Sequence, residues 1–443
     1  MTVTPLSLKI RRRTTSSLLF TATIAAAFLS RFDWLGLFVF AAIAFGCIWL
    51  SIRRIADVSR VFVQPPPRVG SLALPLFVVS ILGCLIVGSF PLDSSMASFL
   101  SAEGRNVASL LPLIAVALLG APAEPADYRL LAISIRVLAG LSGLLATIWL
   151  LFDVEFLGDG NDFWGLTSSH HVPGLLAGVA IIGSLSLLAH EHRPLDAGLA
   201  ISASLALFAS SSRTSLLALV IAVLWYAAFG VKGSRHRGRM IGIISIAALA
   251  AIIVVPRAQE TVGLALSPDF RDRAFQAFDQ ESSEGLVNQW TSVAEANILS
   301  RFGIWGTSWE AFSDSPFVGI GPWRVNDNRL TYWGKPGVLL LAVGGERDTS
   351  DFGAHNVVLQ ALAETGVLGL ALVATFVVAT SQAVHTVDGR PVWFAHFSRM
   401  GFAFWLATIP ASVAMFSPAL IGPMVVVFAM NATMQHQTNS TSG

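Results

Sequence analysis

A chain of 443 residues that is 54% hydrophobic and only 12% charged, with mean hydropathy +0.68, cannot be solvated as a soluble globule. Its apolar runs, about 15 to 25 residues each, mark an all-α polytopic membrane protein. The net charge of +1 says little about partners, because such a chain sorts its charge by side of the membrane, and no basic patch invites nucleic acid.

In chain order the apolar windows predict about 12 transmembrane helices, at roughly 15–30, 34–51, 71–89, 105–121, 129–151, 173–190, 197–211, 214–230, 239–255, 356–384, 391–415 and 418–432. Lys9 and Arg11 to Arg13 precede the first of these and hold the N-terminus in the cytoplasm by the positive-inside rule. The Ala25-Ala26-Ala27 stretch behind that basic start also has the look of a signal-peptide cleavage site, and cleavage there would leave the later orientation unchanged. Counting onward, the inside loops carry Arg53, Arg54, Arg60, Arg68, Arg193, Lys232, Arg235, Arg237, Arg239 and Arg390, whereas the short outside loops hold only Arg31, Arg105 and Arg213. Three parts follow: helices 1 to 9 over 1–255, a large outside loop over 256–354 that is partly helical, and helices 10 to 12 with a short tail over 355–443. In a Gram-negative host the loop between helices 9 and 10 is periplasmic. Cys47 and Cys84 fall within predicted spans, which leaves no disulfide framework and no thiol metal site.

Several positions along this layout can carry chemistry. His170-His171 lie in the outside loop between the fifth and sixth spans, and without spaced carboxylates they make a poor metal site. Arg213, within Ser210-Ser211-Ser212-Arg213-Thr214-Ser215, occupies the tight outside turn between the seventh and eighth spans. It fits either a snorkelling interfacial arginine or a guanidinium gripping a phosphate bidentately, with the serines as neutral donors around it.

The loop over 256–354 concentrates polarity and holds 21 of the chain's 55 charged side chains. Within it Phe302, Trp305, Trp309 and Phe312 recur at 3-4-3 spacing, which predicts a helix with one apolar aromatic face, stopped at Asp314-Ser315-Pro316 and followed by a turn at Gly319-Ile320-Gly321-Pro322. That face suits an interfacial aromatic belt or a sugar-stacking platform.

At the return into the membrane stands His355-Asn356. A helix-start histidine either caps or faces solvent, or serves as a base, since a helix N-terminus disfavours the imidazolium and leaves the ring able to accept a proton. Asn356, Gln360 and Glu364 then recur every four residues as a polar ridge on an otherwise apolar helix. On a regular helix Glu364 lies roughly 13 Å below His355, near the bilayer middle and turned about 180° from it. It reads as a packing or pathway group, with Arg136 and Arg399 as possible ion-pair partners. No glycine-rich phosphate loop with lysine is present, which argues against nucleotide hydrolysis.

Taken together, Ser212-Arg213-Thr214, then Arg301…Trp305…Pro316…Gly319-Ile320-Gly321, then His355-Asn356…Leu359…Leu362-Ala363-Glu364-Thr365-Gly366…Gly369 resemble the O-antigen ligase and O-antigen polymerase family of bacterial membrane glycosyltransferases. The resemblance spans about residues 200–370. It implies an all-helical C-type glycosyltransferase in the inner membrane, working without metal or cofactor on a glycan carried by undecaprenyl diphosphate, with a glycan or lipid A-core acceptor. Arg213 and Arg301 look like the family's diphosphate-binding arginines and His355 like its base, and Asn356 joins them as a substrate-binding candidate. A competing reading is a 12-helix transporter or flippase of lipid-linked glycans. Against it, the connection at the chain's midpoint is only about Glu191 to Asp196, and the two halves show no repeat.

Overall fold

The computed structural model describes residues 125–159, 162–167, 171–229, 293–320, 356–385 and 390–408, with Thr21, Ile24, Ser267, Asp269, Asp272, Met424, Val427 and Met430 as isolated positions. The spans expected before residue 125, at 239–255 and at 418–432, and most of the large loop, lie outside the described residues. Among those described, the protein is helical: α1 (Pro125–Phe152), α2 (His171–Glu191), α3 (Pro194–Ala209), α4 (Arg213–Phe229), α5 (Val293–Asp314), α6 (Val357–His385) and α7 (Val392–Thr408). The one exception is a two-residue antiparallel ladder, β1 (Gly158–Asp159) with β2 (Asp162–Phe163), between α1 and α2.

Local chemistry sets the boundaries. Pro194 opens α3 behind an extended Arg193, because a proline at the first helical position loses no intrahelical hydrogen bond. His192 and Ser211 take left-handed backbone conformations and turn the chain after α2 and α3. Ser212 then caps α4, its Oγ accepting from the Ser215 amide at 3.4 Å.

The packing has a clear centre. α2 is apolar on all sides and buried from Pro173 to Leu187, and α1, α3, α4 and α7 pack around it. α6 leans on α7, and α5 packs on α6. Away from α2 the peripheral helices present apolar stripes, Ile133, Val137, Leu141 and Leu144 on α1 and Leu217, Ile221 and Leu224 on α4, all exposed. Helix-period stripes of this kind suit lipid and not water. Two of the described helices, over Asp127–Phe152 and His171–Glu191, are long and apolar enough to cross a membrane; Pro194–Ala209, Thr214–Tyr226 and Val357–Ala371 are shorter apolar helices.

Ring and ion-pair contacts fix which helix ends lie together. Tyr128 at the start of α1 meets Phe394 at the start of α7 edge-on, centroids 4.8 Å apart. Tyr226 near the end of α4 shares a hydrogen bond with His396 Nδ1. Arg136 donates to both carboxylate oxygens of Asp196, at 2.7 and 3.0 Å, and to Glu191 at 2.7 Å. At the opposite end the start of α2 approaches the α3–α4 turn so closely that a side chain at Gly174 would collide with Ser212. Helices α1 to α4 and α7 therefore run alternately up and down, with the α2–α3 junction and the starts of α1 and α7 at one end.

Arg136 corrects one expectation. Its partners are Asp196 and Glu191 and not Glu364, because α1 packs on α2 and α3, whose junction supplies two carboxylates within direct reach.

Candidate active site

Two helix starts and one helix flank carry the candidate residues. Arg213 is the first residue of α4, directly after the Ser212 cap. Ser210, Ser212 and Ser215 are buried and used locally: Ser210 Oγ donates to the Leu207 carbonyl at 2.8 Å, and Ser212 and Ser215 share a hydrogen bond of 2.8 Å. These bonds build the turn that precedes Arg213. Their cause is burial, which obliges each hydroxyl to find a partner inside.

Arg301 sits on α5, partly buried. The buried seam of that helix is Ile304, Thr307, Ser308 and Ala311, and the Ser308 hydroxyl folds back onto the Ile304 carbonyl at 2.8 Å. The aromatic row lies beside the seam instead of forming it. Phe302 with Trp305 and Trp309 with Phe312 make tilted pairs, centroids 4.8 and 5.3 Å apart, and Trp309 remains 46% exposed. These residues form the seam where α5 packs on α6, and the bulky rings lie at its margin.

Asn356 is the cap of α6. Its Oδ1 accepts from the amides of Val358 at 3.0 Å and Leu359 at 3.2 Å, satisfying donors that a helix start otherwise leaves unpaired. His355, its chain neighbour, lies outside the described residues, as do His170, Gly321 and Pro322. One turn below Asn356, Gln360 Nε2 donates to Glu364 Oε1 at 3.1 Å, and both side chains are buried. The four-residue ridge is thus a hydrogen-bonded pair beneath a cap. Arg399, the other arginine considered for Glu364, donates to the His385 carbonyl at 3.2 Å.

The sequence offered no sign of what happens next along α6. Gly366 leaves helical geometry altogether, at φ 65° and ψ −165°, and breaks the span expected to be continuous over 356–384. The turn after α5 fills the break. Gly319 is held by two hydrogen bonds with Ser315, its amide donating to the Ser315 carbonyl and its carbonyl accepting from the Ser315 hydroxyl, each 2.9 Å. Beyond it the Ile320 amide donates to the Ala363 carbonyl at 2.8 Å, while the amides of Val367 and Leu368 donate to the carbonyls of Pro316 at 2.9 Å and Phe317 at 3.3 Å. Groups freed by the break are therefore paired again across two segments far apart in sequence. Neither glycine has room for a side chain. A Cβ at Gly319 would stand 2.2 Å from the Glu364 carbonyl carbon, and one at Gly366 2.3 Å from that of Phe317.

The end at which Arg213 lies follows from the packing. α4 ends beside the start of α7 through Tyr226 and His396, so its first residue, Arg213, belongs to the opposite end of the bundle. Asn356 opens α6, and the helix bearing Arg301 packs on α6.

Residues 197–374 match the family model described as O-antigen ligase. That segment of the chain is similar to the O-antigen ligase family. The matched segment runs from α3 to the second half of α6, and so includes Arg213, Arg301, Asn356 and both sides of the Gly366 break. No curated protein matches the chain. The O-antigen ligase family is one of bacterial membrane proteins with glycosyltransferase-like function, acting on a lipid-linked glycan donor and a glycan acceptor.

Proposed function

We propose that this chain moves a glycan from undecaprenyl diphosphate to an acceptor hydroxyl at the periplasmic face of the bacterial inner membrane, as an O-antigen ligase or as a polymerase of O-antigen or exopolysaccharide. The observation that carries the reading is the pattern of helix starts within the matched segment: α4 opens at Arg213 and α6 at Asn356, next to His355, while Arg301 rides on the helix docked to α6.

The chemistry needs few groups. His355 accepts the proton of the acceptor hydroxyl, whose oxygen attacks the anomeric carbon as the bond to the diphosphate breaks, and the product is inverted. Undecaprenyl diphosphate leaves with added negative charge on its oxygens. Arg213 and Arg301 stabilise that charge more strongly in the transition state than in the ground state, and no metal or nucleotide sugar is required. Base assistance of this type is worth about 10²- to 10⁴-fold in rate.

The broken α6 supports this geometry by its length. At 29 residues it would extend about 44 Å, longer than a hydrocarbon core of about 30 Å. From Gly366 to His385 it extends about 30 Å. The break then stands at the outer boundary of the membrane, with Asn356, Gln360 and Glu364 on a short helical segment above it. Glu364 belongs at that boundary and not at mid-bilayer, where its charge would cost far more.

The test uses purified full-length chain with a polyprenyl-diphosphate-linked glycan and an acceptor. His355→Ala should abolish transfer while expression and insertion stay normal, and transfer at the wild-type rate would remove the histidine from the reaction. Deleting the gene separates the subtypes: loss of long-chain lipopolysaccharide points to O-antigen ligation or polymerisation, and loss of secreted polysaccharide points to an exopolysaccharide polymerase.

A further inference from the structure

The backbone clasp between the turn after α5 and the break in α6 has no role in the transfer chemistry just described, yet it joins the two segments that carry Arg301 and Asn356. Three long-range hydrogen bonds, from Ile320 to Ala363, Val367 to Pro316 and Leu368 to Phe317, are made by main chain alone. They depend on Gly319 and Gly366, both in left-handed conformations and both pressed against the opposing backbone at distances no Cβ could occupy. Two amides just below the break, those of Val367 and Leu368, are occupied by the Pro316 and Phe317 carbonyls. What the arrangement supplies is rigidity.

We infer that Gly319 and Gly366 are positioning residues for glycan transfer: by letting the α5 turn lock onto the α6 break, they hold Arg301 in fixed register with the start of α6 throughout turnover. This rests on the proposed function. Arg301 stands about 20 Å along α5 from the clasp, so a tilt of about 5° there would displace it by about 1.7 Å. A misplacement of about 1 Å can cost about 10²-fold in rate.

The experiment is done on full-length protein reconstituted with the lipid-linked donor. Gly319→Ala and Gly366→Ala should each lower kcat by about 10²-fold per folded molecule with donor KM changed less than about threefold. A role in folding alone would reduce the yield of protein and leave kcat per molecule unchanged, and that result overturns the inference. A second variant does not depend on tolerating a new methyl group. Phe317→Cys with Leu368→Cys places thiols at exposed positions on either side of the clasp. Oxidation in membranes should cross-link them in high yield, and the cross-linked protein should keep at least about half its transfer rate. Failure to cross-link overturns the clasp, and a cross-link that stops transfer until it is reduced overturns fixed register in favour of an opening motion. If the wild-type chain itself transfers no glycan, the proposed function fails, and the clasp is judged by the cross-link alone.

Discussion

Asn356 has two ends with separable tasks. Its Oδ1 caps α6 through two backbone amides, which leaves the amide nitrogen as the group to offer a substrate. Asn356→Asp keeps the capping oxygen and removes the donor, so folded yield should remain near wild type while transfer falls. Asn356→Ala should in addition destabilise the helix start by about 1 kcal/mol. Thermal melts in detergent alongside transfer assays on both variants measure the two effects apart, and equal transfer by Asn356→Asp and wild type would limit the residue to capping. Arg213 poses a different question at the same scale, charge or geometry. If its guanidinium grips the diphosphate by a fork, Arg213→Lys should lose transfer almost as completely as Arg213→Ala, because an ammonium presents no paired planar donors. Recovery of activity with lysine would reduce the requirement to charge.

At the scale of elements the informative one is α6. Its polar ridge and the end of α5 at Asp314 were legible because each follows from local chemistry: four-residue spacing and a proline two residues beyond the helix end. The break at Gly366 was not, since glycine is ordinary inside membrane helices and the partners that make this one non-helical, Pro316 to Ile320, are about 50 residues away in sequence. The same distance hid which residues of α5 meet α6, because only α6 could reveal that Ile304, Thr307, Ser308 and Ala311 form the seam beside the aromatic row. Placing the membrane boundary at Gly366 predicts a contrast between two exposed positions on α6. A cysteine at Val358 should react with a membrane-impermeant maleimide added from outside, and one at Val378 should not. Equal labelling of both would displace the boundary.

Across the whole molecule the ends of the bundle divide the labour. α4 opens with Arg213 at one end, and the other carries the Arg136, Glu191, Arg193 and Asp196 network, in which Asp196 is fully buried. Arg136→Met strands that carboxylate and should lower stability by about 3 kcal/mol, seen as a drop in melting temperature, with the transfer rate per folded molecule unchanged. A selective loss of rate would mean that the two ends communicate. Of the architecture, α1 to α4, α6 and α7 stand within a few residues of the spans read from hydropathy, because length and apolarity are properties of the chain alone. That α2 forms the centre was not readable, since a helix apolar on all sides looks the same in sequence whether it faces lipid or protein. Of the candidate site, the arginine and asparagine positions at helix starts were legible from turn chemistry, and the binding of the loop to α6 was not.

The main-chain clasp also limits how acceptor preference could be re-engineered by exchanging the extramembrane segment with that of a relative. A graft ending at residue 354 would present a foreign turn to the native notch at Glu364 to Leu368, where a mismatch of even one methyl group has nowhere to go. Donor and recipient halves of such a chimera would have to be joined beyond Leu368, so that the turn travels with the backbone it was shaped against.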